Sequence, residues 1–265
     1  MARSPDGPPP PPAVQKLRVR YAKRGRLRFT SHRDIQRSLE RALRRADIPM
    51  AYSAGFSPHP KVSYAGAAPT GTASEAEYLE ISVTARCDPA AVRTALDESM
   101  PPGLDVLEVV EAGPATNLVE RLEASTWQIE LPGVSDDQAR AAITSFLAAP
   151  EVSVQRMMKN GLRTFDARAA VHTLDLQPSA VPPSAGPGES PGGNCAILRA
   201  VVRHSTPAVR PDDVLTALRV VADLVPPSAP RVTRLAQGPL DSATGAVSDP
   251  LEPDRRRSDQ EQAGH

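Results

Sequence analysis

Leu17, Val19 and Tyr21 alternate with Lys16, Arg18 and Arg20, and soon afterwards Ile35, Leu39, Ala42, Leu43 and Ala46 recur at helical spacing. A period of two running into a period near 3.6 is a half-buried strand followed by an amphipathic helix. Leu27 and Phe29 extend the strand beyond a turn at Arg24-Gly25, and Ser31 opens the helix with Asp34 as its capping-box-like partner. A short strand follows at 62–65, then one in which Leu79, Ile81 and Val83 face the same way. Asp88 caps a second helix whose first position is Pro89, where a missing N–H costs nothing. Val92, Ala95 and Leu96 face inward, Pro101-Pro102-Gly103 stop the helix, and a strand over about 104–111 closes the set. That order is β-α-β-β-α-β, the split βαβ arrangement of ferredoxin-like domains.

The pattern returns more loosely downstream. A strand at 125–131 precedes a helix capped at Ser135 with Gln138 completing its box; strands near 152–158 and 163–176 follow, the latter a candidate partner for 195–203. A helix opening at Pro211 and a strand at 231–235 complete it. The fold class expected is therefore α+β, two tandem ferredoxin-like domains over 16–115 and 116–236. Three segments lack the apolar content to offset the entropy of ordering: the Pro-rich residues 1–15, an insertion at 177–193 with five Pro and four Gly, and the polar tail 237–265. These are expected to be disordered.

The net charge is zero, with 31 basic and 31 acidic residues, but it is unevenly spread. Between Val14 and Lys61, thirteen Lys/Arg stand against Asp34, Glu40 and Asp47, an excess of ten that the rest of the chain balances. Such polarity points to an anionic partner for the N-terminal half. Two distant cysteines, Cys87 and Cys195, exclude a disulfide framework and fit a reducing compartment. No apolar run approaches the roughly 20 residues of a membrane span, and Pro8 to Pro12 stand where a signal peptide would need its apolar core. A cytoplasmic location with no membrane partner is expected.

The candidate site lies in the basic block. At 100° per residue, Arg33, Arg37, Arg41 and Arg44 fall within about 80° of one another, opposite the Leu39 side of the helix. Four guanidiniums on one face can track a phosphate backbone or clamp an acidic partner; the same stripe also reads as a solvated face. His32, in the first turn near Leu39 and Leu43, is expected to point toward the sheet, either packed or presenting its ring beside Asp34. The loop from Tyr52 to Lys61, YSAGFSPHPK, brackets His59 between two prolines that stiffen the backbone. Tyr52, Ser53, Phe56, Ser57, His59 and Lys61 are its candidate contact groups, and a second polar loop adds Glu75 and Glu77. His32, Asp34, His59 and Lys61 are the candidates for catalysis. There is no phosphate-binding G-x-x-x-x-G-K, no dinucleotide fingerprint, no H-E-x-x-H and no G-x-S-x-G. A mononuclear metal site from His32, Asp34, His59 and Glu77 has suitable ligand types, but no local spacing supports it. Neither a metal nor a cofactor is assigned to the chain.

Residues 20–81, RYAKRGRLRFTSHRDIQRSLERALRRADIPMAYSAGFSPHPKVSYAGAAPTGTASEAEYLEI, resemble the radical SAM-linked family, a bacterial domain of unknown function. Weaker similarity runs to about residue 236. The resemblance carries over His32 and Asp34, then Tyr52, Ser53, Gly55, Phe56, Pro58, His59, Pro60 and Lys61, then Gly71, Ser74, Glu75, Glu77 and Tyr78. It implies a separately encoded radical SAM partner that supplies the iron–sulfur cluster and S-adenosylmethionine, for which this chain has no cysteine triplet; it implies no reaction. By expected fold alone the chain is also similar to the tandem ferredoxin-like endoribonucleases that process CRISPR transcripts. The leading expectation is an accessory or substrate-binding subunit of a radical SAM enzyme, with RNA as the candidate substrate. The alternatives are a metal-independent RNA-cleaving or RNA-modifying enzyme using His32 and His59, and a protein-interaction module.

Overall fold

The computed structural model describes residues 10–113, 117–158, 161–178 and 194–263. The chain is of mixed α+β class, with five α-helices among the described residues, and divides into two compact units. One comprises residues 1–121 with 249–265, the other 122–248.

In the first unit the elements run β1 (Gln15–Lys23), α1 (His32–Arg45), β2 (Val62–Ala65), β3 (Ala73–Val83), α2 (Pro89–Ser99) and β4 (Val106–Glu111). Their sheet order is β4-β1-β3-β2, every neighbour antiparallel. Leu17 lies opposite Ile81 and Val19 opposite Leu79, so the alternation of β1 puts all four on one face, where α1 covers them with Ile35, Leu39, Ala42 and Leu43. Burial of each such Leu or Ile contributes about 1.5–3 kcal/mol. Both helix starts follow their sequence signals. Ser31 Oγ accepts from the Asp34 N–H at 3.2 Å, and Asp88 accepts from the N–H groups of Ala90 and Ala91 at 3.2 Å, with Pro89 at the first helical position.

Two local expectations fail here. Residues Gly25–Phe29 form a 3-10 turn rather than an extension of β1, because Gly25 takes a φ of +55° and turns the chain. The stretch read as a polar loop around Glu75 and Glu77 is mostly the start of β3, paired with β1 through Tyr21–Glu77 and Lys23–Ser74.

The second unit contains β5 (Ala124–Pro132), α3 (Asp136–Ala148), β6 (Ser153–Met158), β7 (Gly161–Asp166), β8 (Val171–Gln177), β9 (Cys195–Arg203), α4 (Pro211–Ala222) and β10 (Arg231–Gly238). Its main sheet runs β10-β5-β9-β8, again antiparallel, while among the described residues β6 and β7 pair only with each other. The single strand expected at 163–176 is thus two. Asp166 breaks it, its carboxylate accepting from the N–H groups of Val152, Arg168 and Ala169 at 2.8–3.2 Å. The Ser135–Gln138 capping box forms as its spacing predicts.

The tail is the largest correction, since residues 237–263 are ordered where disorder was expected. β10 ends at Gly238, Leu240 bridges to Val247, and α5 (Glu252–Ala263) packs with the first unit. Asp254, 1% exposed, accepts from Arg18, Arg121 and the Gly113 N–H. Ion pairs, not an apolar stripe, hold this helix. Gln15, expected in the disordered N-terminus, is the first residue of β1. Of the remaining residues expected to be disordered, 1–9, 179–193 and 264–265 lie outside the described residues.

Candidate functional site

The proline-bracketed loop is a short two-armed hairpin. Tyr52 bridges to Pro60, the Ser53 N–H donates to the His59 carbonyl at 2.9 Å, and the Lys61 N–H donates to the Ala51 carbonyl at 2.8 Å. Ser53 Oγ accepts from the His59 N–H at 3.1 Å, closing the ring of contacts at the tip side. Gly55 takes a φ of +132°, a conformation that other residues rarely adopt, and so makes the reversal possible. The arms are continuous with β3: the Ala51 N–H donates to the Ser82 carbonyl at 2.8 Å and the Ser82 N–H to the Lys61 carbonyl at 3.1 Å. Ser57 and Phe56 stand at the tip, Phe56 70% exposed.

Between this hairpin and the C-terminal half of α1 lies a cleft of about 170 Å³, lined by Glu40, Leu43, Arg44, Met50, Tyr52, Pro58, His59 and Pro60. The arginine face and the His59 segment therefore meet, through Arg44. Arg33, Arg37 and Arg41 are exposed on α1 but do not line the cleft. Arg37 lies 3.4 Å from Asp34, with both side chains more than half exposed, and Arg41 donates to Ser38 Oγ at 3.1 Å. In water such contacts contribute little, so the face remains available to an anion.

His32 occupies a different place. Its Nε2 accepts from Gln36 Nε2 at 2.9 Å, and its ring meets that of Tyr64 edge-on at 5.3 Å. It sits two helical turns before Glu40, roughly 12 Å along the helix axis, and does not line the cleft. The structure thus does not bring His32 and His59 into one site. Asp34 is occupied at the helix cap, receiving the Ser31 hydroxyl at 2.7 Å. Glu75 pairs with Arg24, and Glu77 is buried with one carboxylate oxygen accepting from the Ala68 N–H at 3.2 Å. Lys61 is exposed on the outgoing arm and does not line the cleft. Among the described residues no group of three or more His, Cys, Asp or Glu is arranged to hold a metal ion, nor is any helix long and apolar enough to cross a membrane.

Three residues of this region escaped the sequence reading. Glu40 and Met50 line the cleft, and Tyr64 on β2 packs toward α1 with its hydroxyl buried and unpartnered. Burial, reinforced by the charge of Glu40, pushes the Tyr64 phenol above its ordinary value. The signals were present: Glu40 and Arg44 are four apart, and Val62 and Tyr64 alternate on one strand face. A second exposed aromatic, Phe29 at 61%, has the Arg28 guanidinium 4.7 Å above its ring.

Residues 16–211 match the model of a family described as "Uncharacterized protein conserved in bacteria (DUF2344)". No curated protein matches the chain in sequence. Among solved structures it is similar to a chain of the "Crystal Structure of a Cbf5-Nop10-Gar1 Complex", at 11% identity and a TM-score of 0.41, over 88% of this chain and 54% of that one. It is also similar to an unknown protein from Galdieria sulphuraria, at 16% identity and a TM-score of 0.23, over 79% of this chain and 92% of that one. The chain spans about half the length of the first of these.

Proposed function

Because this chain belongs to the DUF2344 family of uncharacterized proteins conserved in bacteria, whose description assigns no reaction, we propose its function from the site itself. It is an RNA-binding accessory subunit that presents substrate to a separately encoded radical SAM enzyme. The partner brings the iron–sulfur cluster and S-adenosylmethionine; the resemblance of residues 20–81 to the radical SAM-linked family is the reason for naming it. We read each unit as a ferredoxin-like domain on the strength of its β-α-β-β-α-β order, with the β6–β7 hairpin inserted in the second.

The observation that carries the RNA clause is the exposed guanidinium face of α1. Arg33, Arg37, Arg41 and Arg44 share it with two acidic neighbours, Asp34, 3.4 Å from Arg37, and Glu40 at its edge. A helix solvated for its own sake would interleave acids at i,i+4 throughout and pair its arginines with them, whereas here only Glu40 and Arg44 have that spacing and they do not pair. Phosphate is the anion that repeats along a face of this length, and contacts to it position a strand without reading its sequence. Phe29 and Phe56 are exposed rings elsewhere in the same unit on which unpaired bases stack.

Retention of labelled cellular RNA by the purified protein across a salt series tests the RNA clause. Affinity should fall by close to one counterion per phosphate contact; absent or salt-insensitive binding removes the clause. Tagging the native protein and identifying what co-purifies tests the partner, and failure to recover a radical SAM protein removes that clause.

A further inference from the structure

The cleft beside α1 supports a more specific assignment, which rests on the RNA reading above. Four of its lining side chains are polar: Glu40, Arg44, Tyr52 and His59. Among the described residues, the Glu40 carboxylate, the Tyr52 hydroxyl and the His59 ring have no hydrogen-bond or ion-pair partner. Arg44 uses only its Nε, donating to the Glu40 main-chain carbonyl at 3.3 Å. Glu followed by Arg at i,i+4 is the spacing at which the two side chains ordinarily pair on a helix surface. Here they do not, so a carboxylate and the Nη groups of a guanidinium border the same small space without pairing.

The remaining walls are Leu43, Met50, Pro58 and Pro60. At about 170 Å³ the cleft is well below the roughly 300–1,000 Å³ of sites that enclose drug-sized ligands. It suits one flat ring system and not a whole nucleotide. The hairpin arms are fixed by prolines and by the Ser53–His59 hydrogen bonds, so the wall is preformed and little ordering entropy opposes binding.

We propose that this cleft takes one unpaired guanine base of an RNA strand. Guanine presents two adjacent N–H donors, at N1 and the 2-amino group, on the edge that also carries the O6 acceptor. The Glu40 carboxylate accepts both donors, and Arg44 donates to O6, the acceptor that guanidinium groups commonly read. Adenine sets a lone pair at N1 against the carboxylate, and uracil offers one N–H there. Tyr52 and His59 supply the rings for stacking, the usual way an unpaired RNA base is held. The arginines outside the cleft hold phosphates and contribute no base preference.

Fluorescence anisotropy with labelled single-stranded oligouridylates carrying one central guanine, adenine or cytosine reads this directly. The guanine-bearing strand should bind about tenfold more tightly than the others, as one good bidentate contact allows. Glu40→Gln should abolish most of that preference. Arg33→Glu combined with Arg37→Glu should weaken every strand alike and keep the preference. Equal affinity for all strands overturns the guanine pocket and leaves the RNA reading standing. A preference that survives Glu40→Gln overturns the assignment to this cleft, and failure to bind any strand overturns both readings.

Discussion

Arg18 on β1 and Asp254 on α5 face each other across 236 positions of sequence, the Arg18 Nη1 donating to both carboxylate oxygens at 2.8 and 2.6 Å. Arg18 is fully buried and also donates to Glu80 at 2.9 Å, while Arg121 donates to Asp254 at 2.6 Å. Around this centre Arg255 reaches Glu108 at 2.6 Å and Asp249 at 2.8 Å. The last helix is thereby held against the first unit's sheet by charge.

Removing Asp254 should be costly, because it takes the shared carboxylate from two largely buried guanidiniums, leaving Arg18 with Glu80 and Arg121 with the Pro250 carbonyl. Asp254→Ala is expected to destabilise the protein by about 3–5 kcal/mol, as for other broken buried pairs, measured by urea denaturation. Burial by itself would raise this carboxyl. The hydrogen bonds from Arg121, the Gly113 N–H and Arg18 overcome that and hold it below its ordinary value. The unfolded chain then binds the proton first as pH falls. The contribution of Asp254 is therefore complete above the ordinary carboxylate range and is lost as pH drops through the lowered value. Asp254→Asn should flatten that acid limb.

His204 should give the second unit a separate pH dependence. Its Nδ1–H donates to the Leu122 carbonyl at 2.6 Å, and its Nε2 accepts from the Ser125 hydroxyl at 2.8 Å. Burial lowers its pKa, the Leu122 bond opposes this, and the charge of Arg234 lowers it further. The neutral ring is the folded form, so this contribution is complete above the ordinary histidine value and is lost as pH falls from there to the lowered one. Thermal melts between pH 7 and 5 should show a shallower slope for His204→Gln than for the parent.

Charge reversal on the α1 face should separate binding from folding. Arg37→Glu with Arg41→Glu removes only exposed contacts, so stability should change by no more than about 0.5 kcal/mol. RNA affinity should drop, and the slope of log affinity against log salt should fall by about 1–2 as those phosphate contacts vanish. An unchanged slope would place the RNA elsewhere.

His59 and Ser53 should behave oppositely within one hairpin. His59→Ala keeps every backbone hydrogen bond of the loop and should leave the melting temperature unchanged while weakening RNA binding. Ser53→Ala deletes the acceptor of the His59 N–H and should cost about 1 kcal/mol. A large loss of stability in His59→Ala would make the ring a structural element instead.

Residues 16–111 were largely readable from local pattern, because each strand and helix there announces its buried face within a few positions. Leu17, Val19 and Tyr21 need only a pleat to share a side, and Ser31 and Asp88 need only the next turn of chain to cap it. Capping likewise made α3 visible at Ser135. The polarity of the Arg face was legible for the same reason, since helical angle alone gathers Arg33, Arg37, Arg41 and Arg44.

Contacts made across the fold were not readable. Composition marks EPDRRRSDQEQA as solvated, yet α5 packs on the first unit because Arg18 and Arg121, more than a hundred positions earlier, pair with its Asp254. Nor could spacing distinguish His32 from His59: both lie in the same basic block, yet packing sets one against Tyr64 and the other beside Glu40 and Arg44. Periodicity determines which side of an element is buried. Which distant charge meets it, and which side chains border a common space, depends on three-dimensional packing, whose partners carry no local mark in the chain.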